Sequence, residues 1–193
     1  MAWITGRTGK RQAMRVLADL HTGERWLTRR TASWDNPWVR RVLPTVEEVA
    51  EHTKLWCAVA AVMAGTGGVR GRQAAAAGLV SMAVAETIAN GGVKRVWQRR
   101  RPPGQWFRPE DVAERPDSPS FPPGHTAAAV AFTVAIAPIR PWAGMACAVP
   151  TVVVAAERVH RGAHHPSDVA VGAAIGLAAA GLVRAAPGLL RRL

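Results

Sequence analysis

Five Ala-rich apolar stretches, separated by clusters of arginine, limit what this 193-residue chain can fold into. They are Leu55–Gly68, Ala74–Val93, Thr126–Ile139, Trp142–Ala156 and Val169–Ala186. The second and fifth come close to the ~20 residues that a bilayer span needs, and flanking residues can extend the other three. No strand-like alternation and no internal repeat appears. The expected fold class is therefore all-α: a membrane-embedded helical bundle with about five spanning helices. A soluble bundle competes with this reading, because Ala-rich helices of this length also build soluble cores. Pro138, Pro141 and Pro187 are expected to mark helix ends, and Pro150 to kink the fourth stretch. Gly172 and Gly176 form a GxxxG pair suited to close helix contact in lipid.

Residues 1–50 differ from the rest. They are polar and basic, with Trp26, Trp34 and Trp38 set among Arg25, Arg29, Arg30, Arg40 and Arg41. Met14, Leu17, Ala18 and His21 fit one helical face, beside Arg11 and Arg15. This composition suits an N-terminal interfacial helical region against anionic headgroups, with a basic arm as the plainer reading. It contains no long apolar run and is not a secretory signal peptide. The expected organisation is an interfacial region over 1–50, a helical bundle over 51–187 and a basic tail over 188–193. Cys57 and Cys147 both fall in apolar stretches and read as unpaired packing residues.

Three short clusters carry the chemistry. Lys94 to Pro102 reads K-x6-R-P, Ser120 to His125 reads SFPPGH, and Arg158 to Asp168 reads R-x5-H-x3-D. Together they hold cations, two imidazoles and a carboxylate, which is what phosphate-ester cleavage requires. Phosphoryl transfer spreads negative charge over several oxygens and needs cations and N–H groups around them. One imidazole can attack phosphorus, a carboxylate can orient it, and a second imidazole can protonate the leaving oxygen. If the five stretches span alternately, all three clusters fall on one side of the membrane. The Pro-rich segment Pro102–Pro119 would then lie over the site as a lid or gate. No carboxylate cluster or Cys/His spacing suggests a metal, so neither metal nor cofactor is expected. Gly6 to Lys10 lacks the spacing of a P-loop, and Arg70 breaks the glycine pattern of Gly65 to Gly71.

These clusters resemble the type 2 phosphatidic acid phosphatase superfamily, which also includes the vanadium haloperoxidases. Its pattern is K-x6-R-P, then P-S-G-H, then S-R-x5-H-x3-D. Lys94, Arg101 and Pro102 match the first part, Pro122, Gly124 and His125 the second, and Arg158, His164 and Asp168 the third. Pro123 and Glu157 stand where the family has serines. The resemblance covers roughly Leu55 to Ala186. It implies His164 as nucleophile, Asp168 as the carboxylate that fixes its tautomer, and His125 as acid and then base. Lys94, Arg101, Arg158 and Gly124 would bind phosphate. Arg95, Arg99 and Arg100 read as lipid-facing or solvated charges, and His160 and His165 as surface or capping residues, all outside that set.

The function this implies is a metal-independent lipid phosphatase or pyrophosphatase acting through a phosphohistidine. Phosphatidate-, phosphatidylglycerophosphate- and polyprenyl-phosphate-type lipids are all candidates. The competing readings are a vanadate-dependent haloperoxidase-like enzyme and a non-catalytic basic protein that binds lipid or nucleic acid. The net charge of +12 suits the last, but the His–Asp spacing and apolar stretches do not. The expected partners are therefore the lipid phosphate and the membrane, not nucleic acid. With five spans, the basic residues divide 19 to six in favour of the side holding the clusters. The positive-inside rule then places the site at the cytoplasmic face of a bacterial-type inner or plasma membrane.

Overall fold

Proline, glycine and asparagine set most of the helix boundaries. The computed structural model describes residues 19–190, apart from 20, 51, 52, 114 and 116. Helix α1 covers residues 21–32. Helix α2 (Pro37–Ala50) starts where the Trp38 N–H donates to Asn36 Oδ1 at 2.9 Å, an N-terminal cap. Helices α3 (Lys54–Thr66) and α4 (Gly68–Val96) meet at a glycine turn. Gly68 sits at φ +60, which L side chains rarely adopt, and a Cβ on Gly67 would lie 2.5 Å from the Met63 carbonyl oxygen. Within α4 the winding widens to π between Thr87 and Val93, where Asn90, Gly91 and Gly92 weaken the α preference. Then come a short α5 (Pro109–Ala113), α6 (Gly124–Ile136), α7 (Pro141–His160) and α8 (Pro166–Leu190).

Pro141 opens α7, as expected, and α7 continues through Pro150. Pro187 does not end α8, which runs to Leu190. So near the terminus, the hydrogen bond that proline cannot donate is a small loss. Most of the face expected from Met14, Leu17 and Ala18, and the last three residues of the basic tail, lie outside the described residues.

Helix α6 is the axis of the bundle. It is buried along nearly its whole length and packs on α4, α7 and α8. Its alanines let neighbours approach closely, and glycines on those neighbours bring backbones together. A Cβ on Gly176 of α8 would lie 2.6 Å from the Ala127 carbonyl oxygen, and one on Gly172 would lie 2.8 Å from Pro123 Cγ. The GxxxG pair thus seats α8 against the start of α6. On the other side, Phe132 and Ile136 cover Gly78 of α4 and join Trp56 and Met63 in the core. At the far end of the bundle, Arg140 Nη2 donates to the Gly67 carbonyl at 2.5 Å and ties two turns together.

Among the described residues, three helices are long and apolar enough to cross a membrane: Gly68–Val96, Pro141–His160 and Pro166–Ala186. Lys54–Thr66 and Gly124–Ile136 are shorter apolar helices. The outer faces are apolar too. Leu79, Val80, Val149, Val152, Leu177 and Leu182 are exposed, and Trp142 is 81% exposed at one end of α7. Water disfavours such a belt, whereas lipid accommodates it. Cys57 is exposed, Cys147 is buried, and both are free.

Candidate active site

At the other end, α4 finishes, α6 starts and α7 turns into α8, and a cavity of about 220 Å³ opens among them. Lys94, Arg101, Gly124, His125, Arg158 and His164, drawn from all three clusters, line it together. Glu86, Asn90, Ser118 and Ala163 also line it. Of the expected site residues, Asp168 alone is not on the wall.

His164 lies in the tight connection between α7 and α8, where its N–H donates to the Arg158 carbonyl at 3.0 Å. Its ring is buried, with Nδ1 against the carbonyl of Ser120. A carbonyl only accepts, so Nδ1 carries the proton and Nε2 keeps its lone pair. Burial, then the charge of Arg101, holds this imidazole well below its ordinary pKa. Arg158 and Lys94 act in the same direction, while the Ser120 carbonyl opposes them. His164 is therefore neutral at neutral pH, as a nucleophile must be.

Hydrogen bonds to backbone carbonyls frame the cationic wall. Arg101 donates from Nη1 to the Ala163 carbonyl and from Nη2 to the Ser118 carbonyl at 2.9 Å. Burial, then the nearby charges of Arg115 and Arg158, lowers its pKa. An anion in the cavity would relieve that repulsion. Arg158 Nε lies 2.8 Å from the Glu157 carboxylate, which also approaches Arg161 at 3.6 Å. Glu157 is almost wholly buried and pairs with the cations behind the cavity wall. From below, the first turn of α6 presents Gly124 and His125, where backbone N–H groups of a helix start favour an anion. Pro123 precedes that turn and has no N–H to add.

Asp168 departs from expectation. Its side chain is buried and belongs to the first turn of α8. One oxygen accepts the His165 N–H at 2.9 Å, closing the helix start, and the other accepts from Arg99 Nη1 at 2.5 Å. The contact that sets the His164 tautomer comes instead from the Ser120 carbonyl. Arg99, expected to be a lipid-facing or solvated charge, is instead engaged by the Asp168 carboxylate. It also bonds Ser167 Oγ at 2.7 Å and, through Nη2, Glu24 Oε2 of α1 at 2.7 Å. Burial alone would depress its pKa, but the Asp168 and Glu24 carboxylates raise it. His160 is likewise engaged, stacked on Trp34 and facing the Thr31 carbonyl through Nδ1 at 2.8 Å.

The segment 102–119 is strapped down. Arg115 donates to the carbonyls of Pro102 at 3.0 Å and Arg161 at 3.1 Å, and its guanidinium covers Phe107. Arg108 pairs with Asp35, and Arg29 lies over Trp106 at 4.6 Å from the ring centroid. Among the described residues, no group of three or more His, Cys, Asp or Glu is placed to hold a metal ion.

The PAP2 superfamily profile matches residues 74–192, well over half of the chain. The chain belongs to the PAP2 superfamily. Its fold is similar to a crystal structure described as the first transmembrane PAP2 type phosphatidylglycerolphosphate phosphatase from Bacillus subtilis. The TM-score is 0.68 at 20% identity, covering 91% of this chain and 88% of that one. No curated protein matches the sequence significantly. Superfamily membership supports a phosphatase, and the apolar helices with the transmembrane likeness support an integral membrane protein.

Proposed function

We propose that this PAP2 protein is a metal-independent lipid phosphatase that works through a phosphohistidine on His164. The observation that carries this reading is the meeting of Lys94, Arg101, Gly124, His125, Arg158 and His164 around one small cavity. The non-bridging oxygens of the substrate rest on Lys94, Arg101, Arg158 and the N–H groups of the α6 start. Nε2 of His164 attacks phosphorus, forming an N–P bond as the bond to the leaving alcohol breaks. His125 gives that alcohol its proton. The Nδ1–H of His164 stays on the Ser120 carbonyl, whose dipole stabilises the charge that develops on the ring. Water then attacks phosphorus, His125 takes its proton, and the N–P bond breaks to free inorganic phosphate. Asp168 acts from behind, closing the helix start that positions the His164 connection.

The substrate is a phosphomonoester or diphosphate of a lipid, of the phosphatidate, phosphatidylglycerophosphate or polyprenyl phosphate type. Its tail would lie along the apolar outer helices. The excess of basic residues near the site supports a cavity at the cytoplasmic face of a bacterial-type inner or plasma membrane. Phosphate release from a panel of these lipids, in detergent with chelator present, tests the reading, with His164→Ala as control. Equal turnover by both proteins would refute it. Labelling of a cysteine placed in the segment 102–119 from outside intact cells would refute the sidedness.

A further inference from the structure

The catalytic cavity has a second polar wall that the phosphatase chemistry above does not use. Glu86 and Asn90 lie on α4 and line it together with Lys94. In a regular α-helix, each four-residue step overshoots a full turn by about 40°. The wider winding from Thr87 to Val93 brings such steps closer to registry, so all three side chains reach one cavity. An ionisable side chain within an apolar span is costly, and such residues mark functional positions. Among the described residues, no side-chain hydrogen bond or ion pair engages Glu86 or Asn90. The Asn90 amide packs at the α6 start, with Nδ2 2.7 Å from where a Gly124 Cβ would sit.

The cavity is therefore divided. Lys94, Arg101 and Arg158 form a cationic half that suits phosphate oxygens. Glu86 and Asn90, about two turns and one turn before Lys94 on α4, form the other half. A carboxylate only accepts hydrogen bonds, while an amide both donates and accepts. A second phosphate, bearing only acceptors and negative charge, would be repelled by Glu86. A hydroxyl donates to Glu86 and accepts from Asn90, satisfying both at once.

We propose that Glu86 and Asn90 form a leaving-group subsite that selects phosphomonoesters whose alcohol carries a free hydroxyl near the phosphate, and that disfavours diphosphates. This rests on the phosphatase reading and narrows its substrate class. A hydrogen bond to a charged group contributes roughly 1.5–3 kcal/mol, so losing the hydroxyl lowers kcat/KM about tenfold or more.

The test pairs substrate and protein changes. Phosphatidylglycerophosphate is compared with an analogue in which 1,3-propanediol replaces the terminal glycerol, removing the hydroxyl. Wild type prefers the hydroxylated lipid at least about tenfold, and Glu86→Ala brings that ratio close to one. Glu86→Gln keeps an acceptor without the charge. It retains part of the preference and raises relative turnover of a polyprenyl diphosphate. Equal kcat/KM for the two lipids with wild type overturns the proposal without any variant having to fold. So does a Glu86→Ala effect of the same size on both. Absence of phosphate release by wild type from every lipid overturns the phosphatase reading itself, a separate result.

Discussion

Replacing Arg99 by alanine is the sharpest structural perturbation. Its guanidinium holds Asp168 at 2.5 Å and Glu24 at 2.7 Å and also bonds Ser167, so one side chain joins α1 to the start of α8. The Asp168 side chain is 0% exposed and Arg99 24% exposed, so this pair is screened far less than a surface ion pair. Removing one partner strands a buried carboxylate, at a cost of about 3–5 kcal/mol, taken near the lower bound because Arg99 is partly solvated. About 3 kcal/mol corresponds to a Tm decrease of roughly 6–12 °C for a chain of this size. Thermal unfolding in detergent measures it. Arg99→Lys keeps the charge but loses the fork and falls between. The reasoning makes a second demand: adding Asp168→Asn to Arg99→Ala removes the stranded charge and restores part of the stability. A Tm loss under about 2 °C, or a double variant no more stable than the single one, would refute the argument.

Three further outcomes follow from the same geometry. Burial and the Arg101 charge hold the His164 imidazole well below its ordinary value. The acid limb of kcat/KM, corrected for substrate ionisation, should then fall below about pH 6.5. The sign for stability agrees: the stability from burying this neutral ring is full above the unfolded-state pKa and is lost as pH falls through the folded one. Gly176→Ala places a Cβ 2.6 Å from the Ala127 carbonyl oxygen and separates α8 from α6. It should cost about 1–3 kcal/mol, read as a lower Tm in detergent. Pro123→Ser restores a hydroxyl and an N–H at the start of α6, and should tighten inhibition by inorganic phosphate about threefold to tenfold. Weaker inhibition would contradict the account of that turn.

The positions of the helices were largely legible because apolar length is a one-dimensional signal. The stretch expected at Thr126–Ile139 is the helix Gly124–Ile136, and that at Ala74–Val93 lies within Gly68–Val96. Pro187 misled because a proline near a helix end sacrifices little. The residues gathered at the cavity were also legible, since each cluster sits at the end of an apolar stretch. What remained hidden depends on long-range pairing. Arg99 stands in a run of three arginines that reads as solvated, and its Glu24 partner is 75 residues upstream. The Ser120 carbonyl that holds His164 is backbone, which leaves no trace in residue type. Glu86 did leave one, a single carboxylate inside an apolar stretch, and that signal could have marked it.

The central claim is that His164 becomes phosphorylated during turnover. Rapid alkaline quenching with a lipid phosphate labelled at phosphorus, followed by peptide mass spectrometry, tests it most directly. The account predicts a phosphoryl group on His164, absent from His164→Ala and not on the neighbouring His165 or His160. Full turnover with no phosphorylated His164, or with the label on another residue, would contradict it.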